Sequence, residues 1–355
     1  MKRIRLLIVV LSLTICMVSG GIKEVFSQKQ EKFDLSFTAS YMDRHPTVLN
    51  GFVPWMKALE ERSGGRLKLR YFNPGTLCPE REIPESIESG TIDIGGFYTG
   101  LSPGKFPLNE LIGLPFLLPG AEAGSLIVWD LYQQFPSWQA EFRKIKVLWQ
   151  WTSASYQLHT TKKLIRALED LKGMKIIVWS PTLMDIVAKL GGISLMIPGS
   201  ETYLGLERGM ADGVLSPLAP VRSFKISDTA KYTTIIDCGV GAFCAGMNLD
   251  SWNRLPADLQ KLLIETTGAK MSKICGVTLD TGAREDAKLL KQQGNKFYVL
   301  PSEEKKRWVK AVQAIHDEWL RKMEGLGYKN IKEIYDTALK LSDKYEKITG
   351  RGYEE

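Results

Sequence analysis

Apolar and polar residues follow two different periods along the first part of the chain. Phe33 to Ser40 alternates as a strand does, and the apolar residues from Val48 to Leu59 recur at helical spacing before a pair of glycines. Residues 66–72 have the pattern of a second strand. A short helix then stops at Gly90, and the strand after it enters a glycine-rich turn where the backbone can approach other groups closely. The pattern predicts a β-α-β opening.

The same alternation continues in a second block. A helix pattern covers Ala121 to Phe135, another helix starts at Pro181 and ends in glycines, and a third is opened by Ser200. Strands are predicted at 145–151, 174–180 and 193–198 and, as a strand or turn, at 214–219. Strands alternating with helices over two blocks predict two parallel-rich α/β domains. Ligands of such sheets lie at the carboxyl ends of the strands, between the domains.

The last third of the chain is dominated by helix patterns. Residues 256–293 contain few helix breakers and predict one or two long helices that brace both domains. A strand at 295–300 and two amphipathic helices, Ser302 to Met323 and Ile331 to Lys347, complete the pattern. No internal repeat or low-complexity segment occurs.

The N-terminus has the composition of a secretory signal peptide. Three early positive charges precede an apolar run from Leu6 to about Val18, which is short for a membrane-spanning helix. We expect cleavage after the small residues at 19–21 or at Ser27, and interpret residues 1–27 as the signal peptide; an uncleaved anchor is the alternative. The expected mature protein is soluble and periplasmic.

Charge and motif content narrow the class of function. The 355 residues carry a formal charge of +7, and removal of residues 1–27 takes away four positive charges and one negative charge, leaving +4. No basic cluster is interleaved with aromatics, so we expect no nucleic-acid binding. His45, His159 and His316 lie far apart without metal-ligand spacing, and no nucleophile elbow, P-loop or dinucleotide fingerprint occurs. We expect no catalytic residue, no metal and no cofactor.

Four cysteines lie outside the predicted signal peptide: Cys78, Cys238, Cys244 and Cys275. Cys238 and Cys244 are six residues apart, and a disulfide between them is one interpretation in an oxidising compartment. Scattered cysteines in a chain of this length favour buried free thiols, which we expect here.

Several motifs occur in an order that resembles one protein family. They are SGGRLKLRYFNPGTLCPEREIPESIESGTIDIGG, LEDLKGMKIIV, ETYLGLERGMADGVLSPL and MNLDSWNRLPADLQK, and the similarity runs from about Phe33 to beyond Gln293. Together they are similar to the extracytoplasmic solute-binding proteins of TRAP transporters, the DctP family. The resemblance therefore covers most of the expected mature chain.

The resemblance implies a type II periplasmic-binding-protein-like fold, with two α/β domains around a ligand cleft and a long helix spanning both. It implies a chain that crosses between the domains more than once. Residues 28–154 and 243–282 are assigned to domain I, and residues 155–242 and 283–355 to domain II.

The function that the resemblance implies is capture of a small organic acid by domain closure and its delivery to a membrane permease driven by an ion gradient. We expect a monomer that makes and breaks no bonds. A receptor component for a sensor, a component of an ABC-type importer and a periplasmic enzyme on the same fold are the alternatives.

One family position departs from the chemistry that this function needs. After DLKG the family usually reads K-I-R-V, and its arginine forms a two-pronged salt bridge with the ligand carboxylate; the matching residue here is Ile177. Isoleucine offers neither the charge nor the donor spacing of guanidinium. A carboxylate enclosed without a cation is costly, so we expect a substitute cation or a different ligand. Arg222 and Arg44 are candidates, and a surface role is the alternative for each.

Two further positions differ from the residues that the family often has there, an arginine and an asparagine. The second arginine of some members falls near Tyr156 or Gln157. The asparagine that often precedes the proline after the DG pair corresponds to Ser216. Hydrogen-bonding groups are thus retained at these positions, whereas the positive charge is not.

The other candidate ligand contacts lie at strand ends or match family positions, and most are aromatic. They are Ser40, Phe97, Tyr98, Trp151, Trp179, Tyr203 and Phe243. Aromatic residues at strand ends are also common in cores, and we expect about half of these to miss the ligand. Tyrosine and tryptophan combine a large apolar face with a polar tip, which suits an aromatic or hydrophobic monocarboxylate or a neutral solute. Simple dicarboxylates are disfavoured because the matched positions lack compensating charge.

Overall fold

The structure is a computed structural model that describes residues 31–350 and Tyr353. The predicted signal peptide, residues 1–27, lies outside this part of the chain. Within the described part, no helix has the length and apolar character that a bilayer crossing requires.

The described residues form eleven strands and twelve α-helices, joined by short 3-10 and π-helical turns. The strands are β1 (Phe33–Ala39), β2 (Leu67–Phe72), β3 (Ile94–Tyr98), β4 (Ile145–Thr152), β5 (Gln157–Thr160), β6 (Lys175–Val178), β7 (Ile193–Met196), β8 (Gly213–Ser216), β9 (Tyr232–Ile235), β10 (Ala242–Asn248) and β11 (Lys296–Val299). The α-helices are α1 (Val53–Arg62), α2 (Ile83–Ser89), α3 (Ala121–Gln134), α4 (Pro136–Ala140), α5 (Pro181–Lys189), α6 (Thr202–Glu207), α7 (Leu218–Ser223), α8 (Leu249–Arg254), α9 (Ala257–Thr266), α10 (Ala269–Gln292), α11 (Ser302–Gly325) and α12 (Ile331–Thr349).

The strands form two mixed sheets. The first has the order β2-β1-β3-β10-β4, with β1 to β3 parallel and β10 antiparallel to both of its neighbours. The second has the order β11-β9-β5-β8-β6-β7, in which β5 is antiparallel to β9 and β8 and the other pairs are parallel. The prediction of two parallel-rich α/β layers is confirmed.

Two short segments carry the chain between the sheets, and they are hydrogen-bonded to each other. Residues 153–156 connect β4 to β5, and residues 236–241 connect β9 to β10. The Ser153 amide donates to the carbonyl of Gly241 (2.8 Å), and the Tyr156 amide donates to the carbonyl of Gly239 (2.8 Å). We call these two segments the hinge. The chain crosses once more between α10 and β11.

Helix α10 is the predicted bracing helix. It packs against α3 and β4 on the side of the first sheet and against α7 on the side of the second. The buried Asp280 carboxylate accepts hydrogen bonds from the amides of Ala121 (3.0 Å) and Glu122 (2.9 Å), which satisfies two free donors at the start of α3. On the other side, the Asp286 carboxylate pairs with Arg222 of α7 at 2.8 Å. One helix is therefore fixed to both layers.

The C-terminal helices return to the first part of the chain. In α12, Ser342 donates to the carbonyl of Leu117 (2.7 Å) and Tyr345 donates to Asp130 of α3 (2.8 Å). The domain bounds taken from the family resemblance stay a prediction.

The structure refines two of the predicted elements. The long late helix is two helices, because Gly268, with φ of 62°, separates α9 from α10. The helix predicted to open at Ser200 begins as an α-helix at Thr202, after a 3-10 turn over Gly199–Glu201. Strands β5 and β9 and the short helices α4, α7 and α8 were not predicted.

The four cysteines within the described residues are free thiols, as predicted, and Cys238, Cys244 and Cys275 are buried. Burial raises the pKa of the Cys238 thiol to about 12. These thiols act as small apolar side chains in the core.

Gly276 sets how closely α10 and α3 pack. A Cβ at this residue would lie 2.6 Å from the backbone oxygen of Ala121 and from Cα of Glu122, so the helices would have to move apart. We expect Gly276→Ala to reduce the free energy of unfolding by about 1–3 kcal/mol, the usual cost of overpacking, despite the better helix propensity of alanine. Chemical denaturation measures this.

The matched control is Gly282→Ala in the same helix, where the nearest atom to the added Cβ is a side-chain carbon of Pro46 at 3.6 Å. We expect this variant to be as stable as the parent or more stable by up to about 1 kcal/mol. Equal effects of the two substitutions would contradict tight packing at Gly276.

Candidate functional site

A cavity of about 180 Å³ lies where the carboxyl ends of β3 and β6 face each other across the hinge. Its walls come from the loop after β3 (99–113), the end of the hinge (240–242), the first turn of α5 with the residue before it (180–183), and Lys322 of α11. We call this space the hinge cavity. It occupies the position at which open α/β sheets bind ligands.

Two phenols, Tyr98 and Tyr156, form the wall of the hinge cavity next to the hinge. Their rings lie against Gly241, since a Cβ there would be 2.6 Å from the Tyr156 hydroxyl and 2.9 Å from a Tyr98 ring carbon. Burial, and then the neighbouring Tyr98, raises the pKa of Tyr156 well above its ordinary value. Its hydroxyl is therefore neutral and able to donate or accept a hydrogen bond.

Helix α5 begins at the opposite wall. Its cap is Ser180, whose hydroxyl accepts from the Leu183 amide, and Pro181 occupies the first helical position. The side chain of Thr182 faces Gly113 across the cavity, with 3.8 Å from its methyl carbon to an added Cβ. The first-turn amides of a helix carry partial positive charge, so this wall favours an anionic or acceptor group.

The loop wall contains a buried amide and a buried carboxyl. Asn109 is 2% exposed; its Nδ2 donates to Glu141 (3.0 Å), and its Oδ1 has no hydrogen-bond partner among the described residues. Burial raises the pKa of Glu141 to about 7, although hydrogen bonds from Leu108, Asn109 and Tyr328 oppose the shift. Asn109 lines the cavity, whereas Glu141 lies behind it.

A row of aromatic rings continues from Tyr98 along the same edge of the first sheet. The ring centroids of Tyr98 and Phe243 are 5.2 Å apart, Phe243 stacks on Trp151 at 5.2 Å, and Trp151 donates to the Tyr41 hydroxyl (3.3 Å). Tyr41 in turn stacks on His45 at 4.1 Å. Such a row presents a large apolar face with few polar groups.

The cations near these walls are paired. Lys322, which lines the hinge cavity, contacts Glu110 of the same cavity at 2.6 Å, and Arg222 contacts Asp286 at 2.8 Å. Arg222 lies close enough to His45 to lower its pKa, which burial has already reduced, to about 4. Arg44 is exposed. Of the two candidate substitute cations, Arg222 is the one beside the aromatic row.

The structure brings together only part of the predicted ligand contacts. Tyr98 and Tyr156 line the hinge cavity, and Trp151 and Phe243 follow in the aromatic row. Ser40 follows the last residue of β1, and its amide donates to the carbonyl of Gly96 (3.0 Å).

The remaining predicted contacts have other neighbours. Phe97 is buried behind the cavity wall, stacked on Phe106 at 5.5 Å. Trp179 donates to Thr202 (3.2 Å), Tyr203 donates to Glu207 (2.6 Å), and the Ser216 hydroxyl donates to the carbonyl of Pro217 (2.9 Å). Their roles as ligand contacts stay predictions.

Gln157, the first residue of β5, bonds to the hinge and does not line the hinge cavity. Its Oε1 accepts from the amides of Ile236 (2.8 Å) and Asp237 (3.0 Å), and its Nε2 donates to the Asp237 carboxylate (2.6 Å). These bonds join β5 to the segment before β10, and a ligand role for Gln157 stays a prediction.

Most of the cavity residues were not anticipated from the sequence, among them Asn109, Thr182 and Lys322. Asn109 lies in a loop without periodicity, and Lys322 is one of many lysines on an amphipathic helix. Thr182 alone carried a signal, because it follows the proline that opens α5 just after a predicted strand.

Ile177 is buried completely in the second sheet. It pairs in register with Leu195 and Val214, and its Cδ1 is 3.3 Å from a Cβ built on Gly205 of α6. It does not line the hinge cavity. The interpretation of Ile177 as a ligand contact stays a prediction, which the next substitution tests.

We expect Ile177→Arg to reduce the free energy of unfolding by about 3–5 kcal/mol, because a guanidinium at this site has no partner. Ile177→Leu, which conserves volume, should cost less than about 1.5 kcal/mol. Denaturation with urea measures both variants. A stable arginine variant that gains affinity for carboxylates would show instead that the side chain reaches the ligand.

His159 of β5 bonds to the two neighbouring strands through a neutral imidazole. Its Nε2 donates to the carbonyl of Ser216 (3.1 Å), and its Nδ1 accepts from the Thr233 hydroxyl (3.0 Å). Burial lowers its pKa from 6.5 to about 4, partly opposed by the bond to Ser216. The ring is therefore a structural link between β5, β8 and β9.

The His159 shift makes stability depend on pH. Because the pKa in the folded protein is below that in the unfolded chain, its contribution is complete above pH 6.5 and is lost as the pH falls to about 4. The pKa values of Asp286 and Glu141 are raised in the folded protein, so these two carboxyl groups stabilise the fold as the pH falls. The effect of His159 is therefore isolated by comparing the parent with a variant that lacks the imidazole. When the pH is lowered from 6.5 to 4, we expect the free energy of unfolding of His159→Gln to fall by about 3 kcal/mol less than that of the parent. Urea unfolding at each pH measures this. Parallel curves would contradict this assignment.

The family comparison agrees with the resemblance found in the sequence. The model of bacterial extracellular solute-binding protein family 7, DctP, matches residues 38–322. This range includes both sheets except the first residues of β1. Among the α-helices it leaves out the last residues of α11 and the whole of α12.

Solved structures show the same fold. A TRAP solute-binding protein from Rhodoferax ferrireducens, in complex with copurified benzoate, has a TM-score of 0.84 and 24% identity, covering 90% of this chain and 100% of that one. A marine metagenome TRAP solute-binding protein specific for aromatic acid ligands, in complex with 3-hydroxybenzoate, has a TM-score of 0.84 and 22% identity, covering 89% and 99%. The type II binding-protein fold with two α/β domains is thus confirmed.

Curated relatives match over shorter regions. A solute-binding protein of Verminephrobacter eiseniae is 26% identical over 222 residues, which is 61% of this chain and 66% of the relative. The chain spans 54% of the length of an uncharacterized Salmonella typhimurium relative. From the family match and the shared fold, the chain belongs to bacterial extracellular solute-binding protein family 7, the DctP family, whose members are extracytoplasmic binding proteins and not enzymes.

Proposed function

We propose that the protein is exported to the periplasm, captures an aromatic or hydrophobic monocarboxylate in the hinge cavity, and delivers it to a TRAP-type permease. The observation that carries the proposal is the cavity itself: about 180 Å³, bordered by Tyr98, Phe106 and Tyr156 on one side and the start of α5 on the other. An apolar middle between a phenolic wall and a helix N-terminus suits a ring with one acidic group.

The size of the cavity supports a ligand with a single ring. An apolar cavity of roughly 150 Å³ in a protein interior is enough to hold benzene. The hinge cavity, at about 180 Å³, therefore has room for one ring with a small substituent. A sugar acid would bring several hydroxyls into these walls, and each would need a partner there.

The charges at the cavity support a single carboxylate. Lys322 is already paired with Glu110, Arg222 with Asp286, and the family arginine position holds Ile177. The start of α5 is then the main electropositive element facing the ligand, and it favours one anionic group by up to about 1 kcal/mol or somewhat more when shielded from water. A second carboxylate would have no such partner.

The ligands of the structural neighbours agree with this choice. The Rhodoferax protein holds benzoate and the marine metagenome protein holds 3-hydroxybenzoate, and both share the fold over nearly their whole length. Low identity means that these complexes support a ligand class and not a particular contact.

The proposed mechanism is closure about the hinge. The two crossing segments are bonded to each other, and α10 is fixed to both layers, so the sheets rotate as bodies about a short, defined axis. Closure encloses the ligand between the β3 loop and α5, and the closed form is what a permease recognises.

Benzoate is the probe that tests the proposal. At a thousand times its dissociation constant it should stabilise the mature protein by about 4 kcal/mol, which raises the melting temperature measurably. Thr182→Phe places a ring in the cavity opposite Gly113, and we expect it to abolish this shift while the protein stays folded. Thermal-shift measurement followed by calorimetry gives both quantities.

Ala188→Phe is the matched control, because it adds the same ring to an exposed position of the same helix that does not line the cavity. It should keep the benzoate response. Tight binding of succinate and none of benzoate would overturn the proposed ligand class and point to a cation that serves two carboxylates.

A further inference from the structure

We propose that Glu110 limits the hinge cavity to ligands with one acidic group, because it neutralises Lys322, the cation that would otherwise bind a second carboxylate. The inference deepens the proposed function and rests on it. It assigns ligand specificity to a charged residue of the loop wall, and it accounts for a cavity that contains a lysine and still favours a monocarboxylate.

Two charged side chains line the hinge cavity in the described part of the chain, those of Glu110 and Lys322. Lys322 Nζ and Glu110 Oε2 lie 2.6 Å apart, so the two charges cancel at the cavity wall. Both side chains are accessible, since 51% of the Lys322 side chain and 27% of the Glu110 side chain are exposed. An ion pair that lines the cavity and also reaches solvent is open to contact with a ligand.

The elements that carry the ion pair are bonded to each other. Glu110 belongs to the 3-10 turn Leu108–Gly113 of the loop wall, and Lys322 lies in the last turn of α11. In the same helix, His316 donates from Nε2 to the carbonyl of Pro115, which follows the turn (2.9 Å). This bond reduces the freedom that the two side chains lose when they pair.

The ion pair decides how many acidic groups the cavity walls can neutralise. The start of α5 favours one carboxylate through its first-turn amides and their partial positive charge. A second carboxylate would meet an ammonium group that already has a partner, with the like charge of Glu110 beside it. Without the Glu110 charge, the Lys322 ammonium could form a charge-assisted hydrogen bond with that second group. The single negative charge of Glu110 thus excludes it.

One further carboxylate lies near Lys322 but outside the cavity wall. Burial and then Glu318 raise the pKa of Asp185 in α5. Lys189 and Lys322 oppose this shift, so Lys322 lies near Asp185. Because Asp185 does not line the hinge cavity, it offers a way to change the charge near Lys322 without changing the charge of the wall.

The test compares benzoate with the 1,2-, 1,3- and 1,4-benzenedicarboxylates by isothermal titration calorimetry on the mature protein, residues 28–355, at fixed pH and ionic strength. We expect the parent to prefer benzoate. In Glu110→Gln, the affinity for at least one dicarboxylate relative to benzoate should rise by about tenfold, the effect of one charge-assisted hydrogen bond. The gain should shrink as the salt concentration is raised.

Removal of the cation should abolish this gain. In the double variant Glu110→Gln with Lys322→Gln, no ammonium is left to receive the second carboxylate, and the relative affinity should return to within about twofold of the parent value. Lys322→Gln alone leaves the Glu110 carboxylate in the wall without its partner. We expect this variant to bind benzoate about threefold more weakly than the parent.

Asp185→Asn is the matched control. It removes one negative charge near Lys322, as Glu110→Gln does, but from an exposed position that does not line the cavity. Its affinity for the dicarboxylates relative to benzoate should stay within about twofold of the parent value. The control separates neutralisation at the cavity wall from a general change of surface charge.

The outcomes separate the two proposals. An unchanged ratio in Glu110→Gln, an equal gain for benzoate and the dicarboxylates, or a gain that survives in the double variant would overturn the role of Glu110 and leave the proposed function intact. An equal gain in Asp185→Asn would do the same. Absence of binding of all four acids to the parent and to Glu110→Gln would overturn the proposed ligand class, and the inference with it.

Discussion

The hydrogen-bonded pairing of the two hinge segments is the constraint on which the rest of the molecule depends. Each segment leaves one sheet and enters the other, and the bonds from Ser153 to Gly241 and from Tyr156 to Gly239 hold the two together. They hold the two crossings side by side between the sheets, and hence place the β3 loop opposite α5. They also place the Tyr156 ring against the small residue Gly241, beside Tyr98. The ligand site is therefore a consequence of how the chain crosses, and side chains far apart in sequence become its walls.

The sequence predicted the elements with a clear apolar pattern, including the almost fully buried strands β4 and β8, and it missed short buried strands that are rich in polar residues. Strand β1 and helices α3, α5 and α10 show clear periodicity and were predicted. Strand β5 reads QLHT and is completely buried, with His159 and Gln157 satisfied by groups more than 50 residues away. Nothing local indicates that these polar residues belong to a core strand. A polar strand of this kind becomes understandable only when its tertiary partners are known.

The site was predictable to the extent that it lies at strand ends. Tyr98 was predicted from its place at a strand end and Tyr156 from a matching family position, and both line the cavity. Asn109 and Lys322 also line it, but they come from a loop and a helix more than 200 residues apart in sequence. The charge pattern, by contrast, was visible early. The departures at Ile177 and near Tyr156 or Gln157 both remove positive charge. In the structure, the cations Lys322 and Arg222 each face a carboxylate. A neutral wall avoids burying unpaired cations when the cleft closes.

Ligand selection in such a cleft is linked to closure. In an open cleft, water can satisfy the polar groups of both walls, so little distinguishes one aromatic acid from another. Closure removes that water, and a polar group then left without a partner costs about 1–3 kcal/mol. A ligand that matches both walls shifts the population toward the closed form by its differential affinity for that form, and a ligand that leaves one group unpaired shifts it less. If the permease reads the closed form, selectivity for transport can exceed selectivity for binding, because each unpaired group reduces both the affinity and the fraction of complexes that close.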